Sequence, residues 1–286
     1  MLMNMKDLLA VASEHYFAIP AFNISSWAMF KGVMEATEAK NAPVIIEIHP
    51  DELKHVGPEF VAAVKERLYK SPVPACIHLD HCEDIDVIVR AIQCGFTSVM
   101  FDGASLPLEE NIAKCKEVCA IAHAANVSVE GELGTIGALD EQAEKGASEI
   151  IYTNPEDAVR FVAESGIDTL AIAIGTSHGL YPKGMTPELK LDLLKEIDEK
   201  VAAPLVLHGG SGNPDKEIGE GCTLGVNKIN ISSDIKAAYY VKMREVLEDK
   251  HLREPNCIEP ACIEAMKEVV NHKIDLFGAT GKAALY

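Results

Sequence analysis

Short apolar runs rich in β-branched residues alternate with longer helical segments along the chain, and this alternation constrains the fold more than any other feature. Eight such runs can be recognised: Ala18–Phe22, Val44–Ile48, Ala75–Leu79, Ser98–Phe101, Val127–Glu130, Leu170–Ile174, Leu205–His208 and Ile229–Ile231. Most are continuously apolar rather than alternating, which is typical of parallel strands buried on both faces. Eight strand–helix units in about 240 residues match a (β/α)8 barrel, or TIM barrel, in size and order.

The segment between the second and third runs predicts a helix over Pro58–Tyr69, and the segment after Ser233 predicts further helices over Asp234–Glu248 and Ile263–His272. No low-complexity linker divides the chain. We therefore predict an α/β fold in which residues 1–286 form a single barrel domain with extra C-terminal helices.

The charge balance excludes one class of partner. With 26 basic and 44 acidic side chains, the formal net charge is −18, which disfavours nucleic acid because phosphate backbones are held mainly by lysine and arginine. No apolar run is long enough to cross a membrane, and Lys6 and Asp7 interrupt any N-terminal export signal. The eight cysteines form no CxxC pair and are typical of reduced residues. We expect a soluble cytoplasmic protein.

Polar residues that can bind metals follow several of the predicted strands. His81, His178 and His208 come after three different strands, and the carboxyl ends of barrel strands share one rim. Three imidazoles with an open position are typical of a catalytic zinc site. His78 alternates away from His81 on its strand, so we interpret it as a structural group or a partner of a ligand.

Asp80 lies next to His81 and is expected to project from the opposite side of the strand end. A carboxylate beside a metal site can move protons to or from a substrate hydroxyl, or it can orient a metal ligand. Both roles remain open from the residues alone.

Glycine-rich or hydroxyl-rich turns follow the last two strands. Gly209–Gly212 allows the backbone to approach an anion closely, and Asn230–Ser233 adds an amide and two hydroxyls. In barrels the loops at these two positions often bind phosphate through backbone N–H groups. The sequence therefore predicts a phosphorylated substrate.

Six motifs, in this order, resemble the class II zinc-dependent fructose-bisphosphate and tagatose-bisphosphate aldolases. They are Pro20–Asn23, His78–Cys82, Glu130–Gly134, Ala173–Gly179, Leu205–Gly212 and Lys228–Ile231. The resemblance covers nearly the whole chain and implies a lyase of carbohydrate metabolism or glycolysis. Such an enzyme reversibly cleaves a ketose phosphate to dihydroxyacetone phosphate and an aldehyde through a zinc-stabilised enediolate.

The resemblance also implies roles for individual residues. His81, His178 and His208 would hold Zn²⁺, with Glu132 a further or alternate ligand, and Asp80 would exchange a proton with the substrate C4 hydroxyl. The positions that match the dihydroxyacetone phosphate site are Gly179, Gly209, Gly210, Ser211, Asn230, Ile231, Ser232 and Ser233. A sodium or potassium ion near this loop and a homo-oligomer, either a dimer or a tetramer, are further implications.

Three departures from the family pattern concern the far end of the substrate. The family's loop after the Glu-Leu-Gly motif usually supplies a glutamate after a Gly-Gly pair, which is absent here, so Asp140 and Glu141 are the candidates for the base that forms the enediolate. After the second strand, His49 replaces a serine that is common in the family. The segment Arg253–Cys262 lacks the usual arginine pattern. An acceptor other than glyceraldehyde 3-phosphate is therefore one alternative. A non-catalytic relative that binds a sugar phosphate, and another zinc-dependent barrel reaction such as epimerisation or hydrolysis, are the others.

Overall fold

A computed structural model describes residues 1–139, 150–182, 184–185 and 187–286. The strands in this part of the chain are β1 (Ile19–Asn23), β2 (Val44–Ile48), β3 (Ala75–Cys82), β4 (Ser98–Phe101), β5 (Ser128–Leu133), β6 (Gly137–Ala138), β7 (Thr169–Ile172), β8 (Ser177–His178), β9 (Leu205–Leu207) and β10 (Val226–Ile231). The helices are α1 (Met5–Glu14), α2 (Trp27–Ala39), α3 (Pro50–Tyr69), α4 (Ile85–Cys94), α5 (Leu108–Ala124), α6 (Pro155–Ser165), α7 (Leu191–Lys200), α8 (Asp215–Thr223), α9 (Ser233–Val246) and α10 (Pro255–Leu276).

Eight strands close into a parallel barrel in the order β1, β2, β3, β4, β5, β7, β9, β10, and β10 pairs with β1 to complete it. Each of the eight runs recognised in the sequence contributes one of these strands. All five residues of β1 and of β2 are buried, as expected for strands covered by helices on one face and by the barrel interior on the other. The predicted TIM barrel is confirmed.

The two remaining strands extend the catalytic rim. Gly137 pairs with Ser177 and Ala138 with His178 in a parallel ladder that lies outside the barrel. Leu139 N–H donates to the carbonyl of His178 at 2.9 Å, so the segment that leaves β5 is hydrogen-bonded to the segment that leaves β7.

Helix boundaries differ from the sequence prediction at three places. Helix α1 was not predicted, and α10 begins eight residues before the predicted Ile263. Helix α3 begins at Pro50 rather than at Pro58, because His49 and Glu52 form a capping box and Pro50 occupies the first turn. Gly57, at φ 77°, breaks the helix between the two prolines.

The C-terminal helices pack on the barrel rather than forming a separate layer. Helix α10 lies against both α2 and α9, and it buries Ile263, Met266 and Ile274. Among the described residues, no helix is long and apolar enough to cross a membrane. All eight cysteines are in the described part, and none forms a disulfide.

Candidate active site

Three histidines meet at the carboxyl end of the barrel. His81 lies near the end of β3, His178 ends β8, and His208 directly follows β9. One ring nitrogen from each lies within 4.8 Å of the others, and the ring centroids of His81 and His208 are 4.3 Å apart. The structure therefore brings together the three imidazoles that the sequence predicted to share a rim.

The carboxylates behind these rings fix the direction of their lone pairs. His81 Nδ1 lies 2.9 Å from Asp102 Oδ2, and His208 Nε2 lies 2.7 Å from Glu130 Oε1. An ionised carboxylate only accepts hydrogen bonds, so each of these ring nitrogens donates. The other nitrogens, His81 Nε2 and His208 Nδ1, then carry lone pairs that face each other across 2.6 Å.

Two lone pairs at this distance repel each other, so a positive charge must lie between the two nitrogens. Burial alone would lower the pKa of His81, but Asp80 and the hydrogen bond to Asp102 outweigh it and raise the pKa well above its usual value, so a proton on His81 Nε2 can fill this place when no metal is bound. Together with His178, the two rings bring three imidazole nitrogens within 4.8 Å of one another, and carboxylates bind two of the rings, as is usual in transition-metal sites. The residues present therefore fit a divalent cation.

The end of β3 is irregular where it carries Asp80 and His81. The register with β4 shifts between Leu79 and Cys82, and His81 has a positive φ of 46°, which non-glycine residues adopt rarely. Simple alternation predicts that Asp80 points away from His81. Instead, the bulge turns His81 toward the other histidines while Asp80 remains in the barrel mouth beneath them.

Asp80 is completely buried between two amides. Asn23 Nδ2 donates to Asp80 Oδ2 at 2.9 Å, and Asn230 Nδ2 donates to Oδ1 at 3.0 Å. Burial alone would raise the pKa of Asp80, but the nearby His81 and His208 outweigh it and hold the pKa well below its usual range. Asp80 is therefore a carboxylate at neutral pH, which is the form that can accept a proton.

Glu132 lies close to the histidines in β5. Its Oε2 atom is 3.7 Å from His81 Nδ1 and 3.8 Å from His208 Nδ1, and it forms a second cluster of potential ligands with His81 and Asp102. Burial and the neighbouring Asp102 raise the pKa of Glu132 well above its usual value. This position fits a carboxylate whose charge a cation would stabilise.

The predicted phosphate-binding residues lie in the loops that follow β8 and β9 and at the junction of β10 and α9. Ser211 Oγ accepts from the N–H of Asp234 at 3.2 Å, which joins the loop after β9 to the first turn of α9. Gly209 and Gly179 have positive φ values of 63° and 103°. Ser232 is the N-cap of α9 and Ser233 its first residue, and the backbone N–H groups of a helix N-terminus favour anions.

Three of these predicted residues differ from the sequence interpretation in what they contact. The N–H of Gly210 donates to the carbonyl of Asn230 at 3.0 Å, so it is engaged within the protein. The amide of Asn230 is bound to Asp80, and Ile231 is completely buried in the core. Side-chain identity at a strand end did not show that Asn230 would turn inward to the carboxylate.

Several residues of the site were not found from the sequence. Asp102 binds His81, Glu130 binds His208, Asn23 binds Asp80, and Lys228 pairs with Glu130 inside the barrel. On α9, Lys236 Nζ donates to Ser232 Oγ at 2.9 Å. A signal was available for two of them, because Glu130 and Lys228 are charged residues within otherwise apolar strands.

A cavity of about 460 Å³ opens from the histidines toward the loops after β2, β3 and β4. His49 lines it and also caps α3, since its Nδ1 accepts from the N–H of Asp51 at 3.2 Å. The carboxylates that line the cavity are Asp51, Glu83, Asp84, Asp102 and Glu132. Asp140 and Glu141, the two candidates for the enediolate-forming base, lie outside the described residues.

Comparison with known proteins identifies one family. The model of the family described as fructose-bisphosphate aldolase class-II matches residues 3–282. The D-tagatose-1,6-bisphosphate aldolase subunit GatY of Klebsiella oxytoca is 37% identical over 98% of this chain and 99% of its own length. The 6-phospho-5-dehydro-2-deoxy-D-gluconate aldolase of Bacillus licheniformis is 39% identical over 98% of this chain and 96% of its own length.

Solved structures give the same result. The YdjI aldolase from Escherichia coli K12 superposes with a TM-score of 0.87 at 33% identity, over 99% of this chain and 100% of that one. A putative fructose-1,6-bisphosphate aldolase from Coccidioides immitis superposes with a TM-score of 0.85 at 31% identity, over 98% of each chain.

Proposed function

This chain belongs to the class II fructose-bisphosphate aldolase family. We propose that it is a zinc-dependent aldolase that reversibly cleaves a ketose 1-phosphate between C3 and C4. Family membership makes it an aldehyde-lyase that acts on a phosphosugar. The products would be dihydroxyacetone phosphate and an aldehyde. The observation that carries the proposal is the convergence of His81, His178 and His208, whose ring nitrogens lie within 4.8 Å of one another while carboxylates bind the outer nitrogens of His81 and His208.

The metal ligands in this proposal are His81, His178 and His208, with Glu132 as a further or alternate ligand. When bound, the zinc ion would supply Lewis-acid stabilisation of negative charge on the substrate carbonyl oxygen. Glu130 and Asp102 hold two of the imidazoles in the tautomer that such a site requires.

Asp80 is the acid/base. In the cleavage direction its carboxylate takes the proton of the C4 hydroxyl, the C3–C4 bond breaks, and C4 becomes the aldehyde carbon. The electron pair of that bond stays with the three-carbon fragment, whose C3 would then gain a proton from the carboxylic acid of Asp140 or Glu141, while Asp80 releases the proton it took to solvent. The amides of Asn23 and Asn230 hold Asp80 fixed in the barrel mouth, which suits a group that must meet one hydroxyl.

The substrate phosphate would lie at the loops after β8, β9 and β10, with Gly179, Gly209, Gly210, Ser211 and Asn230–Ser233 around it. Lys236 adds a positive charge beside Ser232. Gly210, Asn230 and Ile231 support this subsite from behind, since their polar groups bind within the protein. A sodium or potassium ion beside this loop is part of the same proposal.

The end of the substrate that becomes the aldehyde is the least constrained part of the proposal. The two relatives above, at 37% and 39% identity, are named for different substrates. Among the described residues, five carboxylates and no lysine or arginine line the cavity beyond the histidines. This lining favours an acceptor aldehyde without a phosphate, because a distal phosphate would face like charges.

We also propose a cytoplasmic homo-oligomer, either a dimer or a tetramer. The eight cysteines without a disulfide fit a reducing compartment. On α9, Tyr240 and Val241 remain 45% and 53% exposed, and they offer an apolar face for a second copy. Light scattering of the purified protein tests the oligomeric state directly.

A coupled cleavage assay tests the function. Purified protein should contain about one zinc per chain, lose retro-aldol activity with a chelator, and regain it with Zn²⁺. Fructose and tagatose should be compared as 1-phosphates and as 1,6-bisphosphates. Full activity in metal-free protein would contradict the proposal. If the protein exchanges a carbon-bound proton of dihydroxyacetone phosphate with solvent but cleaves none of these ketoses, only the proposed acceptor aldehyde is wrong.

A further inference from the structure

A lysine is completely buried in the barrel interior beneath the histidines. Lys228 projects from β10, with its Nζ atom 2.9 Å from Glu47 Oε1 in β2 and 2.8 Å from Glu130 Oε2 in β5. All three side chains have no exposed surface. An ammonium group in this position is stable only because carboxylates compensate its charge.

Glu130 connects this lysine to the metal site. One of its oxygens accepts from Lys228 at 2.8 Å, and the other accepts from His208 Nε2 at 2.7 Å. The continuous chain of contacts therefore runs from Lys228 through Glu130 to the ring whose Nδ1 faces His81.

The contacts distinguish the two carboxylates that bind Lys228. Glu130 uses one oxygen for Lys228 and the other for His208, so a displacement of Lys228 would move the group that holds the ring. Glu47 contacts Lys228 from β2. Glu130 is thus the partner that links Lys228 to a histidine of the site.

We propose that Lys228 is a positioning residue for the metal site, which holds Glu130 in the orientation that lets His208 Nδ1 present its lone pair to the divalent cation. This inference rests on the proposed function, since it assumes that His208 is a ligand. It assigns to Lys228 a role different from filling the barrel interior, which an uncharged side chain of similar length could do equally well.

The experiment measures metal affinity, not turnover. Removing Lys228 alone would leave two buried carboxylates without a cation, so the comparison uses a Glu47→Gln background. The apparent Zn²⁺ dissociation constant is measured by chelator competition in Glu47→Gln and in Glu47→Gln/Lys228→Met. We expect the first variant to bind zinc like the wild type and the second to bind it about 10- to 100-fold more weakly, as when the partner of a ligand histidine is lost.

A spectroscopic readout separates positioning from general loosening of the barrel. In the Co²⁺-substituted protein, the visible absorption bands should change in Glu47→Gln/Lys228→Met and stay unchanged in Glu47→Gln. Lys273→Met is the matched control, because Lys273 is 6% exposed and pairs with Asp234 at 2.9 Å, away from the histidines. It should lower stability without changing the cobalt spectrum or the affinity for zinc.

If Glu47→Gln/Lys228→Met does not fold, zinc affinity is measured in Glu47→Gln/Lys228→Arg, which keeps a buried positive charge but changes its position relative to Glu130. Weaker zinc binding in that variant than in Glu47→Gln supports the proposal, because Glu130 itself is unchanged. Wild-type affinity in either folded variant overturns it. A wild-type protein that binds zinc but cleaves no ketose phosphate would refute the proposed function and leave this inference standing.

Discussion

The side-chain amide of Asn230 donates a hydrogen bond to Asp80 across 3.0 Å in the buried mouth of the barrel. Asn230 lies on β10 and Asp80 on β3, so the contact spans the barrel interior. Asn23 completes the arrangement from β1 at 2.9 Å. These two amides satisfy both oxygens of a carboxylate that His81 and His208 keep ionised.

Replacing Asp80 should abolish most of the turnover and spare the metal. We expect Asp80→Ala to lower kcat about 10²- to 10⁴-fold, the usual contribution of a positioned acid or base, while zinc content stays near one per chain. Elemental analysis and steady-state cleavage on the same preparation provide the measurement. Loss of the zinc would instead place Asp80 among the ligands.

Asn230 and Asn213 form a matched pair of buried amides with different contacts. Asn213 Nδ2 donates to the carbonyl of Gly209 at 2.6 Å, so it supports the predicted phosphate loop. We expect Asn230→Ala to lower kcat about 10²-fold by misplacing Asp80, with a smaller change in KM. Asn213→Ala should mainly raise KM, and the reverse pattern would show that Asn230 binds the substrate phosphate.

Gly209 is required by close contact and not only by its backbone angle. At φ 63°, an added Cβ would lie 2.7 Å from the carbonyl oxygen of Ser177. At Gly166, φ is 78° and an added Cβ would have no atom within 4 Å. The loss of stability in Gly166→Ala therefore measures the cost of the left-handed conformation alone, about 1 kcal/mol. Gly209→Ala should cost about 1–3 kcal/mol more in urea unfolding, and equal costs would remove the argument.

Glu38 should make the protein more sensitive to acid. Burial alone would raise its pKa, but hydrogen bonds from Arg67 and Ser71, both at 2.7 Å, lower it below the ordinary value. A lowered folded-state pKa adds stability at pH values above the unfolded pKa, and this stability is lost as the pH falls through the folded pKa.

The measurement for Glu38 is the free energy of unfolding at about pH 6 and at about pH 3. The wild type should lose about 1 kcal/mol more than Glu38→Gln between these conditions, because the variant has no charge to lose at this position. Parallel losses in the two proteins would contradict the assignment.

The sequence predicted the barrel and its histidines for one physical reason. Buried parallel strands require continuous apolar runs, and His81, His178 and His208 each follow such a run in a place where barrel topology brings strand ends together. The carboxylates that orient the rings could not be predicted in this way. Asp102 directly follows β4 and Glu130 lies on β5, and only the barrel register brings them within hydrogen-bonding distance of the rings.

Local irregularities account for the rest. The alternation of side chains along a regular strand predicts that Asp80 and His81 project from opposite sides of β3. This rule cannot show the bulge after Leu79. The capping box of His49 was hidden because histidine is an uncommon N-cap, which moved the predicted start of α3 to Pro58. The predicted phosphate role of Asn230 came from its position after a strand, where its side-chain direction was not defined.

The three histidines are divided unequally along the chain. His81 belongs to the half of the barrel that ends with β5, whereas His178 and His208 belong to the half that begins with β7. A bound ion would therefore be a non-covalent cross-link between two halves of one polypeptide. If the chain is cut between these halves, neither fragment retains the full donor set, so recovery of zinc binding on mixing would report that the two fragments have reassembled into a closed barrel.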